Sequence, residues 1–165
     1  VDKPNGHRGD SVGRSFFIDT ITIYICDALR GCKNVALRGI AEKAIKEISY
    51  QAQWSAEWVV RLGDGTEESH NRVQKSVDDL WMWSGELFED HPVFEILKDE
   101  LPSFSSFKDA WVKKVAEVLK MATLVMPSPE LWMQTGGRYG IHSAQLGYIL
   151  GEMQSLARTY PDATW

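Results

Sequence analysis

The stretch from Val35 to Leu62 constrains this chain more than any other. Leu37, Ala41, Ala44, Ile48, Ala52, Ser55, Val59 and Leu62 recur there at steps of three and four, with Ile40 and Ile45 flanking the stripe. That spacing places them on one face of an α-helix about seven turns long, ended by Gly63-Asp64-Gly65. Gly39 near its start costs about 1 kcal/mol relative to Ala without stopping it. Glu42, Lys43, Lys46 and Glu57 fall off the stripe. A helix this long cannot bury its face alone, so the remainder of the chain must cover it.

The remainder also reads as helix. From Arg14 to Leu29, Phe17, Ile21, Tyr24 and Ala28 recur at helical spacing, although Ile18, Ile21, Ile23 and Ile25 would equally suit a buried strand. Thr66-Glu67-Glu68-Ser69 supplies a capping hydroxyl and acidic first-turn residues, opening a helix expected to run to Phe88. A short segment at Val93 to Leu101 follows, then a helix from Phe107 to Leu124 ended by Pro127 and Pro129. Gln134 to Gly140 reads as a loop with three glycines, and a last helix is expected from Ser143 to Tyr160. Pro4, Gly6, Gly9 and Gly13 mark residues 1–13 as a loop or linker. The expected organisation is thus all-α, a single helical domain over residues 14–165.

Charge and composition exclude several functions. The 165 residues carry a net charge of −5 and no dense Lys/Arg block, which leaves no electrostatic footprint for a nucleic-acid backbone. The most apolar run, Phe16 to Cys26, is short and broken by Asp19, Thr20 and Thr22, so no membrane span is expected. Cys26 and Cys32 are too few for a disulfide framework and lack partners for a zinc site, which favours a reducing cytosol. The chain opens on Val1 with neither a charged n-region nor an apolar h-region, and so reads as a cut start rather than a signal peptide. Seven Trp residues form the oddest element of the composition; their bulk suits a large core, a partner surface, or both.

Little in the sequence signals catalysis. There is no Gly-x-Ser-x-Gly, and neither Cys has a His in a recognisable local signature. Gly136-Gly137-Arg138-Tyr139-Gly140 could offer backbone N–H groups to an anion ahead of a helix, but it lacks Gly-Lys-Ser/Thr and reads more simply as a turn. His7, His70, His91 and His142 are too scattered for a helical metal pair and read as solvated or capping residues. A helical di-iron site needs Glu-x-x-His on two helices and a Glu on each of two more. Asp19 lies in an apolar run, and Glu47 lies on the line Ile40, Ala44, Glu47, Gln51, Trp54, Trp58. Their +3 residues, Thr22 and Tyr50, offer no imidazole, the pattern of a lost site. A bundle-core salt bridge to Lys43 or Lys46 is the expectation for these acids.

Several further segments resemble, in order, a known family. They are Pro4-Asn5-Gly6, Phe17-Ile18-Asp19, Ala44-Ile45-Lys46-Glu47-x-x-Tyr50, Arg61-Leu62-Gly63-x-Gly65-Thr66, Leu80-Trp81 with Glu86-Leu87-Phe88, Thr135-Gly136-Gly137-x-x-Gly140-x-His142, Leu146-Gly147, and Glu152-Met153-Gln154 with Trp165. Together they resemble the C-terminal two-thirds of the structural C subunits of phenylacetyl-CoA epoxidases. The resemblance implies a ferritin-like bundle whose first two helices would lie ahead of Pro4, and a cytoplasmic, multicomponent oxygenase of aerobic phenylacetate breakdown. It implies a catalytic A subunit that carries the di-iron centre, a small B subunit, and a reductase with flavin and iron–sulfur groups. The C subunit would be a non-catalytic partner without a cofactor of its own, with Asp19, Glu47 and Tyr50 at vestigial ligand positions; whether the B subunit touches it stays open. Trp54, Trp58, Trp81 and Trp83 are candidates for the contact with the A subunit, and a half-bundle would cover its apolar face by self-association or by distortion of the remaining helices. Two other readings are a catalytic or iron-storing ferritin-like protein and an unrelated helical adaptor.

Overall fold

A computed structural model describes residues 6–164, so most of the Pro4-Asn5-Gly6 segment, the first five residues of the expected linker, and Trp165 lie outside the described residues. Among those described there are helices and turns and no strand, which settles the ambiguity of the isoleucine-rich segment in favour of helix. Helix α1 (Arg8–Leu29) and helix α2 (Val35–Gly63) pack along each other as an antiparallel hairpin. Asn34 closes the turn: its side chain accepts from the amides of Ala36 at 3.0 Å and Leu37 at 3.2 Å, capping α2. The Asn34 amide in turn donates to Glu100 at 2.9 Å, and Lys33 pairs with Asp99 at 3.6 Å. A third and a fourth helix, α3 (Glu67–Trp81) and the short α4 (Val93–Leu97), come next in the chain, and the contacts of Lys33 and Asn34 anchor the hairpin end to the segment that follows α4.

Helices α3 and α5 (Lys108–Met121) cross the hairpin at the half formed by the start of α1 and the end of α2. Thr66 caps α3 as its sequence predicts, accepting from the Ser69 amide at 3.2 Å. Beyond α5 the chain ends in α6 (Ala144–Met153) and α7 (Ser155–Thr159), neither of which buries a residue.

Four boundaries differ from the sequence reading, each for a local reason. Helix α1 begins at Arg8 rather than Arg14, because Gly9 and Gly13 stand one turn apart and serve close packing instead of a loop. Ser76 on α3 donates to the Gly9 carbonyl at 3.2 Å, and a Cβ on Gly13 would come within 2.9 Å of the Ser76 hydroxyl. Helix α3 stops at Trp81 and continues to Phe88 only as a 3-10 turn, with the Ser84 hydroxyl donating to the Trp81 carbonyl at 2.7 Å. Helix α5 ends at Met121: Thr123 takes a left-handed conformation (φ 57°), and the Leu124 amide reaches back to the Leu119 carbonyl at 2.9 Å, a Schellman-type close. The final helix breaks at Gln154, where the Ser155 hydroxyl donates to the Glu152 carbonyl at 2.8 Å.

The core gathers around two indoles. Trp81 and Trp111 stack with centroids 5.9 Å apart and planes 28° apart, while Phe17 and Phe88 each meet Trp111 edge-on at 5.2 Å. Both indole N–H groups are satisfied, Trp111 donating to the Phe17 carbonyl at 3.0 Å and Trp81 to the Ser128 carbonyl at 3.1 Å. Val59, Val73, Val77, Val115 and Leu119 seal this cluster from water. Trp111→Ala is therefore expected to cost about 3–5 kcal/mol in urea unfolding. Trp132→Ala, at an indole that lies exposed, should stay within about 0.5 kcal/mol of the parent.

Candidate functional site

The acids singled out in the sequence part company in the fold. Asp19 on α1 is half-buried beside the Ser55 hydroxyl on α2, a buried group that also lies 3.3 Å from the Ala52 carbonyl of its own helix. Burial raises its carboxyl above the ordinary aspartate range, and the Ser55 bond offsets part of that rise. Glu47 and Tyr50 are exposed on α2. The expected salt bridge to Lys43 or Lys46 is not formed among the described residues. Asp19 has Ser55 as its partner instead, and the ion pair on α2 lies further along the helix from Glu47, between Glu57 and Arg61 at 3.5 Å. Among the described residues no three His, Cys, Asp or Glu side chains come together in a way that could hold a metal ion.

The histidines are spent on local structure. His7 opens α1 with its amide donating to Asp10 at 3.0 Å, His70 meets the Gly63 carbonyl at 2.7 Å, and His91 accepts from the Val93 amide at 3.2 Å. His142 stands at the rim of a cavity described below. Cys32 is buried with its thiol against the Asn34 carbonyl, and burial pushes the Cys26 thiol up, away from the reactive thiolate. The glycine loop is no anion cradle: the Gly136 amide donates to both oxygens of Glu89, at 3.0 and 2.9 Å. The chain's own carboxylate occupies the donor an anion would use. Gly136 and Gly140 hold φ of 96° and 85°, the turn-forming role the simpler reading assigned them.

The tryptophans divide. Trp81 is only 2% exposed and belongs to the core, so it is not available as a partner contact. Trp83 is half-buried and lines the cavity. Trp54, 41% exposed, lies 6.1 Å from Trp58, and the Arg8 guanidinium sits 4.2 Å above the Trp58 ring with Arg61 at 5.5 Å. Sequence reasoning missed this stacking because Arg8 fell in the expected linker. It also missed the cavity, of about 480 Å³, between α1, Trp83, Phe104 and α6, with Glu86, Arg138 and His142 at its polar margin. Its apolar wall comes from Phe17, Ile21 and Ile25, which the sequence shows only as one helix face.

Over residues 1–165 the chain matches the family described as phenylacetic acid catabolic protein. The chain belongs to that family. Members of the phenylacetic acid catabolic family are ferritin-like, in agreement with the all-helical architecture. The C subunit of the 1,2-phenylacetyl-CoA epoxidase of Escherichia coli (strain K12) is 34% identical over 167 residues, covering 100% of this chain and 67% of that protein. Membership ties this chain to phenylacetate catabolism. Among the described residues no helix is long and apolar enough to cross a membrane.

A ferritin-like fold raises the question of a di-iron centre, and the residues here do not fit one. Asp19 lies beside Ser55, while Glu47 and Tyr50 are exposed without an imidazole between them. The raised Asp19 carboxyl has a measurable sign. Above its folded pKa the buried charge costs stability, and below the unfolded value of 3.8 the cost is gone. Asp19→Asn should raise the thermal midpoint at pH 7, with the difference closing as pH falls toward 3.8; equal midpoints across that range would contradict the assignment.

Proposed function

We propose that this chain is a structural, non-catalytic subunit of a phenylacetyl-CoA epoxidase that holds the catalytic A subunit in its working assembly. The observation that carries the reading is the match of the whole chain, at 34% identity, to an epoxidase C subunit, combined with the state of the three vestigial positions. At those positions stand a half-buried carboxyl beside a serine hydroxyl and two exposed side chains. In this reading the di-iron centre resides in the A subunit and the flavin and iron–sulfur groups in the reductase. The chain itself binds no cofactor and works in the cytoplasm.

The contact with the A subunit is assigned to the C-terminal arm. Tyr148, Leu150, Met153 and Leu156 on α6 and α7 are exposed apolar side chains on helices that bury nothing of their own. Such residues have a purpose when a partner covers them. Pull-down of the A subunit on the immobilised chain tests the reading. A one-to-one complex is expected, with iron content following the A subunit, and Met153→Glu combined with Leu156→Glu should weaken it by about tenfold or more, the loss that burying uncompensated carboxylates brings. No complex, or stoichiometric iron in this chain alone, would contradict it.

A further inference from the structure

The cavity of about 480 Å³ beside α1 has no part in the proposed assembly, and its volume falls in the range of small-molecule sites, roughly 300–1,000 Å³. It is not the interior of an unfinished bundle. A ferritin-like bundle turns its ligand positions inward, and on α1 the position in question is Asp19. At about 100° per residue, Phe17, Ile21 and Ile25 stand about 160–240° around the helix from Asp19, on its opposite side. Helices packed over the Asp19 side would leave the cavity as it is.

The cavity is long, apolar along its length and charged at its margin. Its α1 wall runs from Arg14 to Ile25, a rise of about 16 Å. Leu80 marks the Arg14 end, since a Cβ on the neighbouring Gly13 would come within 3.3 Å of it. Phe104 marks the Ile25 end: it lies 6.1 Å from Phe107, which stacks on Tyr24 at 6.4 Å. Leu146 and Ile149 close the outer side, although α6 buries no residue of its own. The Arg138 guanidinium sits over Phe104 at 4.9 Å and over Phe94 at 5.3 Å. Stacking holds it by its face and leaves its N–H edge for an acceptor. Among the described residues Arg138 makes no ion pair. Glu86 is the one acid in the lining, and it lies against Gly137, where a Cβ would come within 2.7 Å of its carboxylate. With Arg14 and Arg138 against that one acid, the lining is net positive before His142 is counted.

We propose that this cavity binds an elongated apolar carboxylate, its chain lying along Ile21 and Ile25 beneath α6 and its carboxylate on the N–H edge of Arg138. Length, apolar walls and a positive margin together select that class. A short ring acid would fill one end and leave the rest of the wall uncovered, and a neutral chain would leave the guanidinium edge without an acceptor. The bound chain would also give Leu146 and Ile149 an apolar surface to pack on. This site does not depend on the epoxidase reading, since neither Asp19, Glu47 and Tyr50 nor Met153 and Leu156 line the cavity.

Isothermal titration calorimetry of the chain with monomeric dodecanoate, whose extended chain suits the length of the wall, tests the proposal. One-to-one binding is expected, with dodecanol weaker by about tenfold or more, the worth of one charge-assisted hydrogen-bonded pair. Arg138→Met, which keeps the length of the side chain, should bring dodecanoate down to the level of dodecanol. Ile149→Trp, at a position 38% exposed on α6, should fill the cavity and abolish binding of both, with helicity by circular dichroism unchanged. No binding of dodecanoate, equal affinity for dodecanol, tighter binding of phenylacetate than of dodecanoate, or indifference to Ile149→Trp would each overturn the proposal.

Discussion

The stacked pair of Trp81 and Trp111 is the contact on which the fold depends. Trp81 ends α3 and Trp111 opens α5, so their stack draws together two helices that are far apart in sequence. The Trp111 indole then reaches the Phe17 carbonyl on α1, and the Trp81 indole holds the chain at Ser128. Four segments are thereby fixed by two side chains, each desolvated yet with its polar group paired. Dispersion and area burial act without direction, and the two N–H donors supply the direction.

That core lies at one half of the hairpin, with consequences for the other half. Helix α2 is long because its stripe is long, but α3 and α5 reach only its C-terminal portion. Ile40 and Tyr50, 65% and 70% exposed, mark where cover ends. The same imbalance recurs at the C-terminus, where α6 and α7 carry apolar residues over a chain that does not bury them. The best packing of the fold thus lies at one end, and two apolar surfaces stand open among the described residues. At the acids, Asp19 is the carboxyl partly withdrawn from water, and it lies beside the Ser55 hydroxyl, with no cluster of potential metal ligands among the described residues.

Much of this architecture was legible in the residues. The stripe from Leu37 to Leu62 specified α2 almost to its ends, because periodicity over many turns is hard to mimic, and Thr66 with its acidic followers marked the start of α3 correctly. What the sequence hid were interactions across space. Gly9 and Gly13 look like loop punctuation until α3 is laid against them, and Trp81 looks like a surface anchor until Trp111 stacks on it. The acids were legible in part: the absence of imidazole at Thr22 and Tyr50 is a sequence fact, but Ser55 as the partner of Asp19, on the next helix, could come only from the antiparallel pairing of α1 and α2. The occupied Gly136 amide belongs to the same class, with Glu89 distant in sequence and adjacent in the fold.

The most direct test of the central claim is epoxidation of phenylacetyl-CoA by the A subunit and reductase, reconstituted with this chain carrying Asp19→Asn and Glu47→Gln together. A scaffold that does no chemistry predicts turnover that requires the chain in stoichiometric amount and is unchanged by the double substitution. Turnover that persists without the chain, or that collapses when those two carboxylates are removed while the complex stays assembled, would contradict it.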